Sequence, residues 1–325
     1  MTVAVTGGAG FLGSHITKRL LEAGEETVVI DDFSVGSQEN LSYLDANPKR
    51  VVGDLRDLAF ARKSLKGVDE TYHFAADIGS VAYLHGSQSK EQSALRNNLA
   101  IDTNVIRACV ENRVKTIIYA SSVSVYPKSE QMGRKVFFEE SDSERLVEPE
   151  GGYGWAKYVA ERQLGVLPNI KVGIARIFHA YGPNIYLKED RSQVIGSLIR
   201  KAIRYPKEDF VVWGDGTQRR AFLYIDDFLD GLFRLDEYVE TKGNLTVNLG
   251  STEETTIKDL AETIIGISGK RITPKYDTTK PVGVLRRLPD LTRAEKTLGW
   301  RPKTKLADGL AKTYEWAERS IASWS

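Results

Sequence analysis

Two groups of side chains in this 325-residue chain have the types and spacing to do chemistry. The first is Tyr153-Gly154-Trp155-Ala156-Lys157. On a helix, positions four apart share a face, so the lysine ammonium sits beneath the phenol. A free phenol titrates near ~10, and a neighbouring cation favours the phenolate, which makes it a base closer to neutrality. Spacing alone proves little, because Tyr238/Lys242 and Tyr276/Lys280 share it. What sets Tyr153 apart is the run Ile117-Ile118-Tyr119-Ala120-Ser121-Ser122-Val123-Ser124-Val125-Tyr126, an apolar strand that ends in serines. A hydroxyl from that strand end, with Tyr153 and Lys157, makes a proton-transfer set.

The second group is Thr6-Gly7-Gly8-Ala9-Gly10-Phe11-Leu12-Gly13, set between an apolar strand and a helix. Val3, Ala4 and Val5 precede it, and Leu12, Ile16 and Leu20 follow at helical spacing. Gly7 permits a tight turn, Gly10 lets the backbone approach a pyrophosphate, and Gly13 lets the helix pack on the sheet. The helix N-terminus then offers free N–H groups and a positive dipole to phosphate. A second strand, residues 27–30, ends on Asp31-Asp32, about twenty residues past the glycines, where a carboxylate can accept both ribose hydroxyls. Strand, glycines, helix, strand and acid in register predict dinucleotide binding. No basic residue lies between Phe33 and Gly36 to receive a 2′-phosphate, which favours NAD over NADP.

These groups need a scaffold, and alternating patterns supply one. Strands are predicted at residues 50–52, 70–74, 116–120 and 170–174, with helices at 57–65, 98–112 and 155–164. Such alternation implies crossover units, a parallel sheet and an α/β doubly wound fold. Residues 127–150, polar and acidic, are expected to form a mobile loop beside the site. Past residue 170 the pattern loosens into shorter elements at 192–204, 210–213, 226–235 and 258–265. The expected division is a Rossmann-type cofactor domain over 1–169 and a smaller α/β substrate domain over 170–325, with some later segments returning to the first.

Composition narrows the partners. A formal net charge of +1 leaves no whole-protein field to recruit nucleic acid or an acidic membrane. Cys109, the only cysteine, shares a predicted helix with Val105 and Ile106 and reads as core; no disulfide can form within the chain, and no Cys/His cluster has metal-site spacing. With no signal peptide or membrane-spanning run in view, a cytoplasmic location is expected. His15, His73 and His85 read as structural, with no partner acid evident in the sequence.

The motifs together resemble the extended short-chain dehydrogenase/reductases over nearly the whole chain: the glycine loop, Asp31, Gly53-Asp54-Leu55, His73-Phe74-Ala75-Ala76, the serine cluster, Tyr153…Lys157 and Leu298-Gly299-Trp300-Arg301-Pro302. The resemblance implies that Ser122 is the catalytic serine and that Lys157 also holds the nicotinamide ribose. It assigns Gly7, Gly10, Phe11, Leu12, Asp31, Asp32, Phe33 and Ser34 to the cofactor, with Asp54 and Leu55 flanking the adenine and Phe74, Ala75, Ala76 and Asn98 lining the rest.

Within that superfamily the chain is similar to the nucleotide-sugar epimerases. Trp213-Gly214-Asp215-Gly216-Thr217-Gln218-Arg219-Arg220 and Arg287-Leu288-Pro289-Asp290 carry that likeness. It implies that Arg220 and Arg287 clamp a diphosphate and that Asp290 lies near the nucleoside; independently, a guanidinium fork suits phosphate oxygens. Two further stretches resemble the GDP-mannose 3,5-epimerase branch: residues 75–83, with Gly79 and Ser80, and residues 176–183 followed by Lys188 and Arg191. There Lys188 would be an acid/base at the sugar, its partner position holding Ser124 where that branch has cysteine, and His179 standing where related epimerases often have asparagine. The resemblance implies NAD as cofactor, a nucleotide sugar as substrate, a transient 4-keto sugar, and a homodimer through the helices at 98–112 and 155–164. Simple 4-epimerisation, arrested oxidation to the 4-keto sugar, and a non-catalytic NAD-binding regulator remain as alternatives.

Overall fold

A computed structural model describes residues 1–42, 44, 46–133 and 135–322. Its centre is a seven-stranded sheet in the spatial order Leu245–Leu249, Lys171–Ile177, Thr116–Ser122, Glu70–His73, Thr2–Thr6, Glu26–Asp31, Lys49–Val52. Every neighbouring pair is parallel. Val3, Ala4 and Val5 are fully buried, as strands covered on both faces by crossover helices must be. Chain order reverses between Thr2–Thr6 and Glu70–His73, so a crevice opens there beyond the carboxyl ends of the strands.

The predicted strands all form, with ends shifted by a few residues. The larger differences have physical causes. The helix expected at 98–112 begins at Gln88, where the Ser87 hydroxyl accepts the Lys90 N–H and starts it in a polar stretch with weak periodicity. The helix expected at 155–164 begins at Gly151, across three glycines that argue against a helix on propensity alone. A side chain at Gly152 would run into the Glu91 carbonyl, and one at Gly154 into the Ser124 carbonyl. Close backbone packing, not helix propensity, selects those glycines.

Residues 127–150, expected as a mobile loop, instead carry short ordered pieces; Arg134 lies outside the described residues. Helical turns occupy Lys128–Gln131 and Asp142–Arg145, and Phe137–Phe138 pairs in parallel with Leu288–Pro289. Phe138, Glu140 and Asp142 are buried, with Asp142 accepting the Glu139 N–H and pairing with Lys135. Glu140 and Asp142 are turned inward to partners, while Glu139 and Glu144 stay exposed.

The C-terminal half adds Val194–Arg204, Ile225–Lys242, Ile257–Ser268 and Leu306–Ala322 as helices and several two-stranded pairings. One apolar cluster runs from Val3, Ile16 and Tyr72 through Phe228 and Leu232 to Leu310, so this half packs on the same core as the sheet. Trp300, 1% exposed, donates to the Asp227 carbonyl at 3.0 Å and abuts Gly231. Among the described residues, no helix is long and apolar enough to cross a membrane.

Under the sheet, Glu70 and Asp236 each bury a carboxylate oxygen without a donor, while the Tyr72 hydroxyl donates to the other Asp236 oxygen at 2.8 Å. Burial first, then Asp236, raises the Glu70 carboxyl above its ordinary value, so Glu70 keeps its proton to higher pH than a free carboxyl. A raised folded value means that stability is fully present below the ordinary carboxylate range and is lost as pH rises. Glu70→Gln should therefore gain melting temperature relative to the native chain as pH goes from about 6 to about 9 in thermal unfolding.

Candidate active site

The strand Thr116–Ser122 delivers Ser122 to the crevice, and the turn Val123–Val125 brings Ser124 beside it; the Ser122 hydroxyl accepts the Ser124 N–H at 3.1 Å. The glycine-rich start of Gly151–Gly165 presses onto that turn and sets Tyr153 and Lys157 against the same cavity, whose volume is about 680 Å³. The structure thus brings together Ser122, Ser124, Tyr153 and Lys157.

Electrostatics here differ from the simple expectation. Burial, followed by the Asp102 charge, raises the Tyr153 phenol above its ordinary value, and a hydrogen bond from Ser122 opposes only part of that. Lys157, 1% exposed, lies 5.8 Å from the Tyr153 ring centre and 3.6 Å from Asp102. Its charge is shared with that carboxylate, so lysine alone does not make the phenolate. A further positive charge beside the phenol is needed.

The cofactor end is built from the glycine turn. Gly7 has φ +68°, and a side chain there would meet the Ala75 nitrogen at 2.8 Å; one at Gly13 would run into the Gly7 carbonyl. No side chain caps the helix Phe11–Glu22, so the N–H groups of its first turn face the cavity lined by Gly7, Gly10, Phe11 and Leu12. The buried Asp31 accepts N–H groups from Ala9 at 2.9 Å and Phe33 at 2.8 Å, which aims the carboxylate while leaving lone pairs for hydroxyl donors. Asp32 holds Ser34 through both its N–H and its hydroxyl. Asp54 pairs with Arg56 at 2.7 Å, and with Leu55 it lines the same wall, as do Phe74, Ala75 and Ala76. An open helix terminus, a side-chain-free turn and an oriented carboxylate fit a dinucleotide.

Two expected cofactor residues lie behind that wall. Asn98 is fully buried; its amide donates to the Asp77 carbonyl and accepts the Asp77 N–H, so it shapes the turn and leaves the lining to Asn97 and Ile101. Phe33, at φ 57°, packs with Ala9, Val29 and Leu41.

At the opposite end, Arg220 and Arg287 line the cavity with His179. Arg287 donates to Glu150 at 2.5 Å and to Gln131 at 2.6 Å, and its Nε lies 3.5 Å from His179 Nε2. Burial would raise Glu150, but the Arg287 guanidinium outweighs it and holds the carboxylate low. Burial, with the Arg287 and Arg220 charges adding, pushes His179 well below the usual imidazole range, so it is neutral. Arg220 donates to the Val284 and Arg219 carbonyls, and burial followed by the Arg287 charge lowers its value. Two guanidiniums set against Glu150 leave a cationic surplus that suits a diphosphate.

Gly79 and Ser80 line the wall, and the Ser80 hydroxyl caps Val81–His85. Arg191 pairs with Asp77 at 2.9 Å and lies 4.1 Å over the Tyr83 ring. Asp77 also accepts from the Tyr83 hydroxyl and Asn97, a hub invisible in the sequence because its partners are scattered. Lys188 is exposed and absent from the cavity wall. Asp290 is likewise off the wall; its carboxylate accepts the Thr292 N–H at the start of Thr292–Leu298.

The histidines have partners that spacing did not reveal. His15 reaches the Pro183 carbonyl at 2.9 Å, and His73 lies 3.0 Å from Asp102. His85, which lines the cavity, pairs with Glu91 at 2.5 Å, and the other Glu91 oxygen takes the Gly152 N–H, tying the tyrosine helix to its neighbour. Cys109 is buried core as expected, its thiol pushed up to about 12 by burial.

A doubly wound sheet with this Ser–Tyr–Lys set and glycine turn defines an NAD-dependent enzyme of the extended short-chain dehydrogenase/reductase type. A model of the NAD dependent epimerase/dehydratase family matches residues 3–250, and the chain belongs to that family. It is 32% identical over 326 residues to GDP-mannose 3,5-epimerase 1 of Oryza sativa subsp. japonica, spanning 99% of this chain and 82% of that protein. UDP-glucuronic acid decarboxylase 3 of Arabidopsis thaliana is 33% identical, over 95% of this chain and 87% of its own. Among solved structures, UDP-glucose 4-epimerase of Thermotoga maritima with UDP-glucose superposes with a TM-score of 0.85 at 26% identity, covering 99% of this chain and all of that one.

Gly13→Ala should test the cofactor turn. The added methyl must displace the Gly7 carbonyl, at a cost of about 1–3 kcal/mol. The variant should melt lower and, in a mass spectrum under native conditions, should lose any NAD that the native protein retains.

Proposed function

We propose that the chain oxidises a nucleoside-diphosphate hexose at C4 and then returns the hydride to the other face, inverting C4. The observation that supports this is one cavity lined by Ser122, Tyr153 and Lys157 at one place and by the Arg220/Arg287 pair at another. A diphosphate held by the arginines leaves the hexose to reach the tyrosine. Tyr153 takes the proton of the C4 hydroxyl, and Ser122 hydrogen-bonds the same oxygen. Bound NAD supplies the hydride acceptor, and its positive nicotinamide favours the phenolate that Lys157 alone does not stabilise enough. Lys157 donates to the ribose hydroxyls and keeps the phenol aimed. On return, Tyr153 gives the proton back to O4 after the keto sugar has turned over. Nothing in this route calls on Lys188 or on a second acid/base at Ser124.

The second reading, inversion at C3 and C5 as in a GDP-mannose 3,5-epimerase, draws on the similarity to the rice enzyme. It needs a base and an acid on opposite faces of the sugar. Ser124 lines the cavity, but an unassisted hydroxyl exchanges protons poorly near neutrality, and Lys188 lies off the wall.

Incubation with GDP-mannose, UDP-glucose and related sugars in heavy water separates these readings. C4 inversion predicts an epimer free of solvent deuterium. Deuterium at C3 or C5 favours the second reading, and a stoichiometric rise in NADH absorbance indicates arrested oxidation. Tyr153→Phe should lower kcat by a factor of about 10² or more. Arg287→Ala should act mainly on KM, raising it about ten-fold or more through the lost bidentate phosphate contact.

A further inference from the structure

Asp102 lies one helical turn past Asn98 on Gln88–Asn112, and its carboxylate is completely buried. A lone carboxylate at such a place is costly, so its partners must hold it. The Tyr119 hydroxyl donates to Oδ2 at 2.9 Å. On the other side, His73 Nε2 lies 3.0 Å from Oδ1, and Lys157 Nζ lies 3.6 Å from the same oxygen.

The histidine tautomer follows from its far side. The Thr6 hydroxyl accepts N–H groups from Phe74 at 3.1 Å and Ala75 at 3.2 Å, so its own proton points to His73 Nδ1 at 2.7 Å. The histidine hydrogen therefore sits on Nε2, the nitrogen 3.0 Å from Asp102 Oδ1, without the alignment of a hydrogen bond. Burial, partly offset by Asp102, lowers the His73 value, so the ring is neutral. Burial would raise Asp102, but the Lys157 charge and the His73 and Tyr119 donors outweigh it and keep it ionised.

We propose that Asp102 is a positioning residue for the Tyr153–Lys157 pair: a buried counter-anion, hydrogen-bonded by Tyr119 and flanked by His73, that keeps Lys157 an aimed ammonium and sets the charge felt by the Tyr153 hydroxyl. Burial pushes a lysine towards the neutral amine, which could neither donate all its protons nor lend positive charge. Asp102 opposes that push, offsetting part of it. The groups facing this pair are His73 from Glu70–His73, Tyr119 from Thr116–Ser122, and Tyr153 and Glu161 from the tyrosine helix. Glu161 is taken by Arg176 at 2.7 Å and by Ser121, so Asp102 is the carboxylate left to balance Lys157. With Lys157 balanced, the phenol stays protonated until a further cation arrives beside it.

The inference rests on Tyr153 and Lys157 being the reacting pair, and its test needs no turnover. Protein labelled with ¹³C at tyrosine Cζ and ¹⁵N at lysine Nζ reports both ionisations by NMR, with Tyr153→Phe and Lys157→Met identifying the two signals. In the native chain the Lys157 signal should be that of an ammonium at about pH 7.5. In Asp102→Asn, Lys157 should lose its proton, and Tyr153 should ionise, at a pH lower by about one unit or more. The pH profile of kcat/KM should move down by a similar amount. A neutral Lys157 amine in the native chain overturns the proposal even if the variant does not fold. So do Asp102→Asn titrations that coincide with the native ones. Absence of turnover on every nucleotide sugar would count against the functional reading and leave these titrations to be judged alone.

Discussion

The rest of the site depends on holding one ammonium, that of Lys157, in a place where it is almost fully buried. A charge there is stable only with an anion beside it, and that anion, Asp102, arrives on a different helix. Two neighbouring strands carry His73 and Tyr119 side by side; the Tyr119 hydroxyl fixes the anion and the His73 ring lies against it. The helix Gly151–Gly165, its neighbour Gln88–Asn112 and two central strands are thereby tied at one point. Tyr153 inherits its position and its reluctance to ionise from that arrangement.

The glycines express the same constraint in space. Gly154 touches the Ser124 carbonyl, Gly152 touches Glu91, and Gly13 touches Gly7. At each contact two backbones approach closer than any side chain would allow. Serine hydroxyl, phenol and phosphate-binding turn are therefore placed by rigid elements rather than by mobile loops. The arginine end of the cavity is built differently: Arg287 leans on Glu150 and Gln131, and Arg220 on backbone carbonyls, so the guanidiniums are fixed in place with a surplus of positive charge.

The strands of the sheet were legible because buried parallel strands leave unbroken apolar runs, and Gly7 to Gly13 mark the first turn through close backbone contacts few other residues allow. Ser122, Tyr153 and Lys157 were legible because the strand end and the helical spacing are local patterns. Asn98 and Asp290 were misplaced because sequence gives neighbourhood without direction; both side chains turn to backbone groups. The glycine-rich start of the tyrosine helix was missed because its stability comes from packing against Glu91 and Ser124, not from propensity.

By itself the sequence determined the α/β alternation, the dinucleotide turn and its preference for NAD, and the chemical identity of the hydroxyl, phenol and ammonium. Those follow from local periodicity, backbone freedom and residue type. Only the tertiary structure decided which charges meet. Asp102 and Lys157 stand 55 positions apart in the chain, Asp77 and Arg191 twice as far, and Glu150 and Arg287 farther still. No local pattern pairs them, because electrostatic balance at a buried site depends on distances that exist only after the strands have been laid side by side.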